Sequence, residues 1–256
     1  MNLFVIPAYN EEANLPRLLG DLEDRPQLWR GGHVILVDDG SKDATADLAA
    51  AYDGPVPLLL VRQIRNHGAG RAFDRGFRLA LEMADDADFV ITLESDTTSD
   101  LDALDRMLAT AAEGAEVVLA SHHGEGQLVN VAAHRRFLSK AAAYAIRRGA
   151  GLDAKTVSSF FRVYRVSALR RGYGRHGDAF IRESGFACKA EILVKLTRLG
   201  CRVREVPVAL DWASREGESK MKVLPTIAGY ARMMGRQMTA RDRAPARELG
   251  PARERA

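Results

Sequence analysis

The chain has 256 residues, enough for one sizeable core built as one domain or two fused halves. Its net charge of +3 is matched by residues 236–256, which carry six Arg against three acids, so the body is near neutral and nothing argues for nucleic acid. Two cysteines without metal-like spacing, Cys188 and Cys201, suggest a reducing compartment, and no run of about 18 apolar residues is present to span a bilayer.

In chain order, Leu3–Ile6 reads as a strand, so no signal peptide is expected and a cytoplasmic location is. A helix follows over about Glu12–Leu22. His33–Val37 is a second strand, Asp43 to about Tyr52 a second helix, and Pro57–Val61 a third strand. Gly68 to about Ala84 is a helix bearing Phe73, Phe77, Leu79 and Leu81, and Phe89–Leu93 is a fourth strand. The second half is less regular. It has strands at Val117–Ala120, Phe161–Tyr164 and Val203–Val208, with helices at Arg135–Arg148, Lys189–Leu199 and Val223–Met238. Residues 240–256 lack apolar periodicity and read as a mobile tail. The alternation predicts an α/β fold: a doubly wound, mostly parallel central sheet flanked by helices.

Ligands of such sheets bind beyond the carboxyl ends of the strands. Three predicted strands end in polar residues: Tyr9-Asn10-Glu11, Asp38-Asp39-Gly40-Ser41 and Glu94-Ser95-Asp96. Glu94 and Asp96, one residue apart, are hard oxygen ligands suited to Mg²⁺ or Mn²⁺ held against a diphosphate. The competing reading is a polar loop in which Ser95, Ser99 or Asp100 caps the next helix. Asp38 and Asp39 can accept hydrogen bonds from a base and a ribose, although Asp39-Gly40 is also a good turn pair and Asp43 a good N-cap. Tyr9 suits a base pocket or a half-buried core position.

Val5-Ile6-Pro7-Ala8-Tyr9-Asn10-Glu11-Glu12, Val37-Asp38-Asp39-Gly40-Ser41-Lys42-Asp43-Ala44-Thr45 and Asn66-His67-Gly68-Ala69-Gly70 carry a family resemblance. So do Val157–Arg165, Glu205-Val206-Pro207 and Arg215-Glu216-Gly217-Glu218-Ser219-Lys220-Met221. Over about residues 2–235 the chain resembles family 2 glycosyltransferases of GT-A fold, in the branch of dolichyl- or polyprenyl-phosphate mannose and glucose synthases. The resemblance implies a Rossmann-like sheet in a single domain, 1–239, with a nucleotide-sugar half (1–100) and an acceptor half (101–239), followed by the tail. It implies an inverting hexosyl transfer from a GDP-mannose or UDP-glucose type donor to a polyprenyl phosphate, assisted by Mg²⁺ or Mn²⁺.

The same resemblance assigns roles. Pro7, Ala8, Tyr9, Glu11, Asp38, Asp39 and Gly40 would hold the nucleotide, and Glu94, Asp96 and Thr98 the metal. His122, Arg135 and Ser139 would hold the acceptor phosphate, with Asp96, Arg135, Arg215 and Lys220 as the catalytic set. Arg135 and Ser139 lie four apart and share a helix face. Without the resemblance, Arg135 reads equally as a solvated helix start, and Arg215 and Lys220 as an exposed basic loop. Three positions depart from the family pattern: Glu94 stands where Asp is usual, Thr98 where Gln is common, and His122 where Arg is usual.

A lipid phosphate is already anionic and needs cations rather than a strong base. A hydroxyl acceptor would need a base, for which Asp178 and Glu183 are the best-placed acids. An inactive nucleotide-sugar-binding protein is the alternative outside enzymes. A nucleotidyltransferase would open on a Gly-rich loop with Arg and Lys, which Ile6–Asn10 is not. A dinucleotide oxidoreductase would need a first-strand glycine fingerprint, which is missing. The apolar positions of 223–238, flanked by Arg232, Arg236 and the arginine tail, suit either a core-packed helix or peripheral contact with the cytoplasmic membrane face.

Overall fold

The computed structural model describes residues 1–29, 31–121, 128–129, 154, 156–157, 159–208, 210–211 and 223–237. Among these the elements run β1 (Asn2–Ala8), α1 (Leu15–Glu23), α2 (Pro26–Trp29), β2 (His33–Asp38), α3 (Thr45–Ala50), β3 (Leu58–Arg62), α4 (Ala69–Met83), β4 (Phe89–Thr92), α5 (Leu104–Ala112) and β5 (Val117–Ser121). They continue as β6 (Leu128–Val129), β7 (Arg162–Arg165), α6 (Val166–His176), α7 (Cys188–Arg198), β8 (Val203–Pro207), β9 (Leu210–Asp211) and α8 (Val223–Gln237).

Seven strands form one sheet in the order β3-β2-β1-β4-β7-β5-β8. All its pairings are parallel except those of β7, which runs antiparallel to both β4 and β5. The inward runs of β1 and β2 are buried on both faces, as parallel strands covered by helices must be. Along β1, Leu3 and Val5 enter one core with Phe73 and Phe77 of α4, whereas Phe4 and Ile6 enter the other with Leu15, Leu18 and Leu22 of α1. Gly76 lets α4 lie close on the sheet: a Cβ there would stand 2.4 Å from a Val5 methyl.

Several expectations shift. The first helix starts at Leu15 rather than Glu12, because Glu11–Asn14 forms a turn in which the Glu11 carbonyl accepts from Asn14 and Leu15. The sequence does not reveal the direction of β7 or the helix α6, and it gives α5 only as a helix without bounds after the Glu94–Asp96 loop. Among the described residues no helix is long and apolar enough to cross a membrane. The helix expected at Arg135–Arg148 and the tail from 240 lie outside the described residues.

Candidate active site

The parallel topology brings the ends of β1, β2 and β4 to one edge of the sheet. The loops there are tied to one another. Asn10 donates its N–H to the Ser41 hydroxyl (2.9 Å) and accepts from the Lys42 N–H (2.8 Å). Glu11 donates its N–H to Thr45 Oγ1 (2.7 Å), and its carboxylate accepts from Asn14 (2.7 Å). Asn10 and Thr97 have left-handed backbone, with φ of 53° and 59°. For a β-branched threonine this is strained, and such strain gathers at functional sites.

Asp38 and Asp39 share the end of β2 but differ in their partners. Asp38 is 1% exposed, and its Oδ1 accepts from the Ser41 N–H (3.1 Å). Its Oδ2 is buried with no donor among the described residues. Leaving such an oxygen unmatched costs about 1–3 kcal/mol, so it marks a place for a ligand donor. Asp39 accepts from the N–H groups of His67 (2.8 Å) and Gly68 (2.7 Å) and from the Gln63 amide (3.1 Å). Burial pushes its carboxyl above the ordinary range, and the two backbone donors offset this only partly. Asp39 therefore anchors the loop leading into α4. Gly40, at φ 72°, also serves that loop, since a Cβ there would stand 2.4 Å from the Arg65 carbonyl carbon. Ala8 is buried, and Pro7 and Tyr9 are half-buried at the same edge.

Beyond β4, Glu94 is half-buried and Asp96 is 4% exposed. Asp96 Oδ1 accepts from the Thr98 hydroxyl (2.7 Å) and more weakly from the Thr98 N–H (3.3 Å). Thr98 thus orients the Asp96 carboxylate. Asp100 receives the Asp102 N–H (3.1 Å) and caps the turn at Leu101–Ala103, so the capping reading holds for Asp100. Among the described residues no group of three His, Cys, Asp or Glu side chains is placed to hold a metal. Two carboxylates still fit Mg²⁺ or Mn²⁺ when substrate phosphates supply further oxygens. Only β1 separates the ends of β2 and β4, so the orphan oxygen and the carboxylate pair lie about 10 Å apart by strand spacing. That span suits a nucleoside diphosphate.

Two buried cations escaped sequence reasoning. Arg162 donates to the carbonyls of Lys189 (2.6 Å) and Val157 (3.1 Å) and to the Tyr164 hydroxyl (3.1 Å). Lys189, 4% exposed at the start of α7, holds its ammonium over the Phe160 ring at 4.3 Å. A lysine in a first helical turn reads as solvated, so the only local signal was the flanking Phe186 and Cys188.

The candidate bases are engaged elsewhere. Glu183 is 4% exposed, and its carboxylate pairs with Arg232 (3.1 Å) and with Arg236, both on α8. Asp178 is fully exposed and pairs with Arg78 (2.8 Å), about 14 Å along α4 from its start at the sheet edge. His122, Arg135, Ser139, Arg215 and Lys220 lie outside the described residues.

Comparison with known proteins identifies the family. Residues 3–172 match the model of Glycosyl transferase family 2. An undecaprenyl-phosphate mannosyltransferase from Micrococcus luteus is 34% identical over 225 residues, covering 86% of each chain. An undecaprenyl-phosphate 4-deoxy-4-formamido-L-arabinose transferase from Pseudomonas aeruginosa is 36% identical over 169 residues, covering 64% of this chain and 47% of that one. The chain thus spans about half the length of that second relative. Among solved structures, glucosyl-3-phosphoglycerate synthase from Mycobacterium tuberculosis, in complex with Mn²⁺, UDP and phosphoglyceric acid, superposes with a TM-score of 0.61 at 18% identity. That match covers 92% of this chain and 78% of the other. The chain belongs to glycosyl transferase family 2 and is a glycosyltransferase of GT-A fold.

Proposed function

We propose that the protein transfers a hexose, with inversion, from a GDP- or UDP-linked donor to a polyprenyl phosphate. The observation that carries this reading is the pair of strand ends: an orphan buried oxygen on Asp38 and, one strand beyond β1, the Glu94 and Asp96 carboxylates. The base and ribose would lie at Asp38, with Pro7, Ala8, Tyr9 and Glu11 lining their pocket. Asp39 and Gly40 shape that pocket through the loop at 63–68 rather than by direct contact.

Glu94 and Asp96 would hold Mg²⁺ or Mn²⁺, with Thr98 fixing the Asp96 carboxylate. When bound, the cation neutralises charge on the departing nucleoside diphosphate. The bond from the sugar's anomeric carbon to the donor diphosphate breaks as one to the lipid phosphate oxygen forms on the opposite face. The acceptor is anionic and needs no base, only cations that orient it. Arg135, Ser139 and His122 are assigned to it, and Arg215 and Lys220 to the closing loop. The name of the 34%-identical relative, whose length the chain matches at 86%, supports a lipid phosphate acceptor. The engagement of Glu183 and Asp178 by arginines weakens the hydroxyl-acceptor alternative.

A lipid acceptor requires contact with a bilayer surface, in keeping with peripheral attachment. Ile227, 42% exposed on α8, could meet that surface. Arg232 and Arg236 pair with Glu183, and the Arg232 side chain stays 59% exposed on the same helix.

The test is nucleoside diphosphate release from a panel of GDP- and UDP-sugars, with Mg²⁺ or Mn²⁺, with and without polyprenyl phosphate. Release that needs both lipid and metal is expected. Release indifferent to lipid, or none with any donor, would overturn the reading.

A further inference from the structure

Residues 62–78 hold five Arg and one acid, Asp74, in a body whose net charge is near zero. They run from the last residue of β3, the edge strand of the sheet, through the loop at 63–68 and into α4. Two of the arginines are matched. Arg62 meets Asp47 (3.4 Å), and Arg78 meets Asp74 (3.1 Å) and Asp178 (2.8 Å). Arg65, Arg71 and Arg75 are exposed and have no carboxylate partner among the described residues. Arg71 and Arg75 lie one turn apart on α4 and line a surface groove with Gln63 and His67. Beside that groove Ile64 is fully exposed. A lone apolar side chain on a surface is ordinary. This one stands on a fixed loop, because Asp39 accepts from the Gln63 amide (3.1 Å) on one side of it and from the N–H groups of His67 (2.8 Å) and Gly68 (2.7 Å) on the other. The loop is tied down at both ends, so the side chain is presented to solvent rather than folded back.

We propose that the Ile64 loop and the Arg71–Arg75 face of α4 dock the protein on an anionic lipid bilayer. Ile64 enters the interfacial region, and Arg65, Arg71 and Arg75 meet lipid phosphates. An aliphatic tip beside unmatched arginines fits a bilayer, which takes up apolar and cationic groups at the same surface. The loop is held by Asp39, at the edge of the sheet that carries Asp38 and the Glu94 and Asp96 carboxylates. Docking there brings that edge to the plane in which a lipid phosphate lies. The inference rests on the lipid-phosphate reading for its purpose, and its measurement is independent of it.

The experiment sediments the full chain with vesicles of phosphatidylcholine and phosphatidylglycerol, and with vesicles of phosphatidylcholine alone, with no sugar donor or polyprenyl phosphate present. Binding to the anionic vesicles that weakens with added salt is expected. Arg71→Gln/Arg75→Gln should bind them about 20-fold more weakly, at roughly fivefold per charge, and Ile64→Ser about tenfold more weakly. Arg71→Lys/Arg75→Lys keeps the charge and should stay within about twofold of the wild type. Arg198→Gln/Arg204→Gln removes the same charge elsewhere, Arg204 lying on β8 at the opposite edge of the sheet, and should bind as the wild type does. Wild-type binding by Arg71→Gln/Arg75→Gln or by Ile64→Ser overturns the proposal and places the contact elsewhere, the arginine-rich tail included. Equal losses in the two glutamine pairs, or no vesicle binding by the wild type, also overturn it. None of these outcomes touches the lipid-phosphate reading, which falls only on its own release assay. Thermal melting confirms that each variant is folded.

Discussion

At the scale of single residues, the two adjacent aspartates of β2 divide their work by partner. Asp39 has three donors on its carboxylate and holds a loop; Asp38 keeps one buried oxygen without a described donor. An unmatched oxygen destabilises the free protein and stabilises the complex that supplies its donor. Asp38→Asn keeps an oxygen for the Ser41 N–H and removes the second acceptor. Nucleotide affinity should fall about 10- to 100-fold, the worth of one hydrogen bond to a charged group, while the melting temperature holds within about 2 °C. Isothermal titration with GDP and UDP, beside a thermal melt, checks this; unchanged affinity for both would remove Asp38 from the pocket. Asp38 and Asp39 are legible in the sequence as a pair because both end an apolar run. Their division is not, because it depends on a loop 24–29 residues away in sequence. Lys189 is illegible for the same reason: its ammonium lies on the ring of Phe160, a residue far from it in sequence.

At the scale of elements, the doubly buried strands were the legible ones. Runs such as Leu3–Ile6 and Val34–Val37 have no polar face, and only a helix-covered parallel strand tolerates that. Strand β7 hid its direction because Arg162-Val163-Tyr164-Arg165 is short and has an arginine at each end, one of them buried. Helix α6 hid altogether: Val166–His176 contains two glycines and four basic residues, and it buries mainly small side chains. The α4 start shows what such close packing demands. The Gly70 N–H donates to the Ser184 carbonyl (2.7 Å), and a Cβ on Gly70 would stand 1.9 Å from the Glu183 carbonyl oxygen. Backbone meets backbone there, so no rotamer change relieves the clash. Gly70→Ala should cost about 1–3 kcal/mol in urea denaturation, by pushing α4 off the 183–184 turn. An unaltered urea midpoint would mean that this turn yields freely.

For the whole molecule, two apolar layers sandwich the sheet, and ion pairs tie sequence-distant segments around it. The N-terminal ammonium meets Asp88 at 2.6 Å, and Arg171 meets Glu116 at 2.6 Å. Burial works to raise both carboxyls, and their partners outweigh it. For Glu116 these are the Arg202 N–H and the Arg171 guanidinium; for Asp88 they are chiefly the N-terminal ammonium and the Asp85 N–H. Both groups are held below their ordinary values in the folded state. A depressed carboxyl contributes stability that is present above its unfolded pKa, near 4, and is lost as pH falls through its folded pKa. Asp39 has the opposite sign: raised by burial, it favours the fold below its unfolded pKa, and that contribution is lost as pH rises through its folded pKa. The lowered pair should therefore steepen the fall of stability below about pH 4, and Asp39 should soften it slightly. After allowance for solvent screening, removing the Glu116 charge is expected to cost about 1 kcal/mol at pH 7, or about 2–4 °C in melting temperature. Glu116→Gln should then melt below the wild type at pH 7 and converge on it as the pH approaches 3. A gap that stayed constant across that range would show that the Glu116 contacts stabilise by packing alone, with no contribution from the charge.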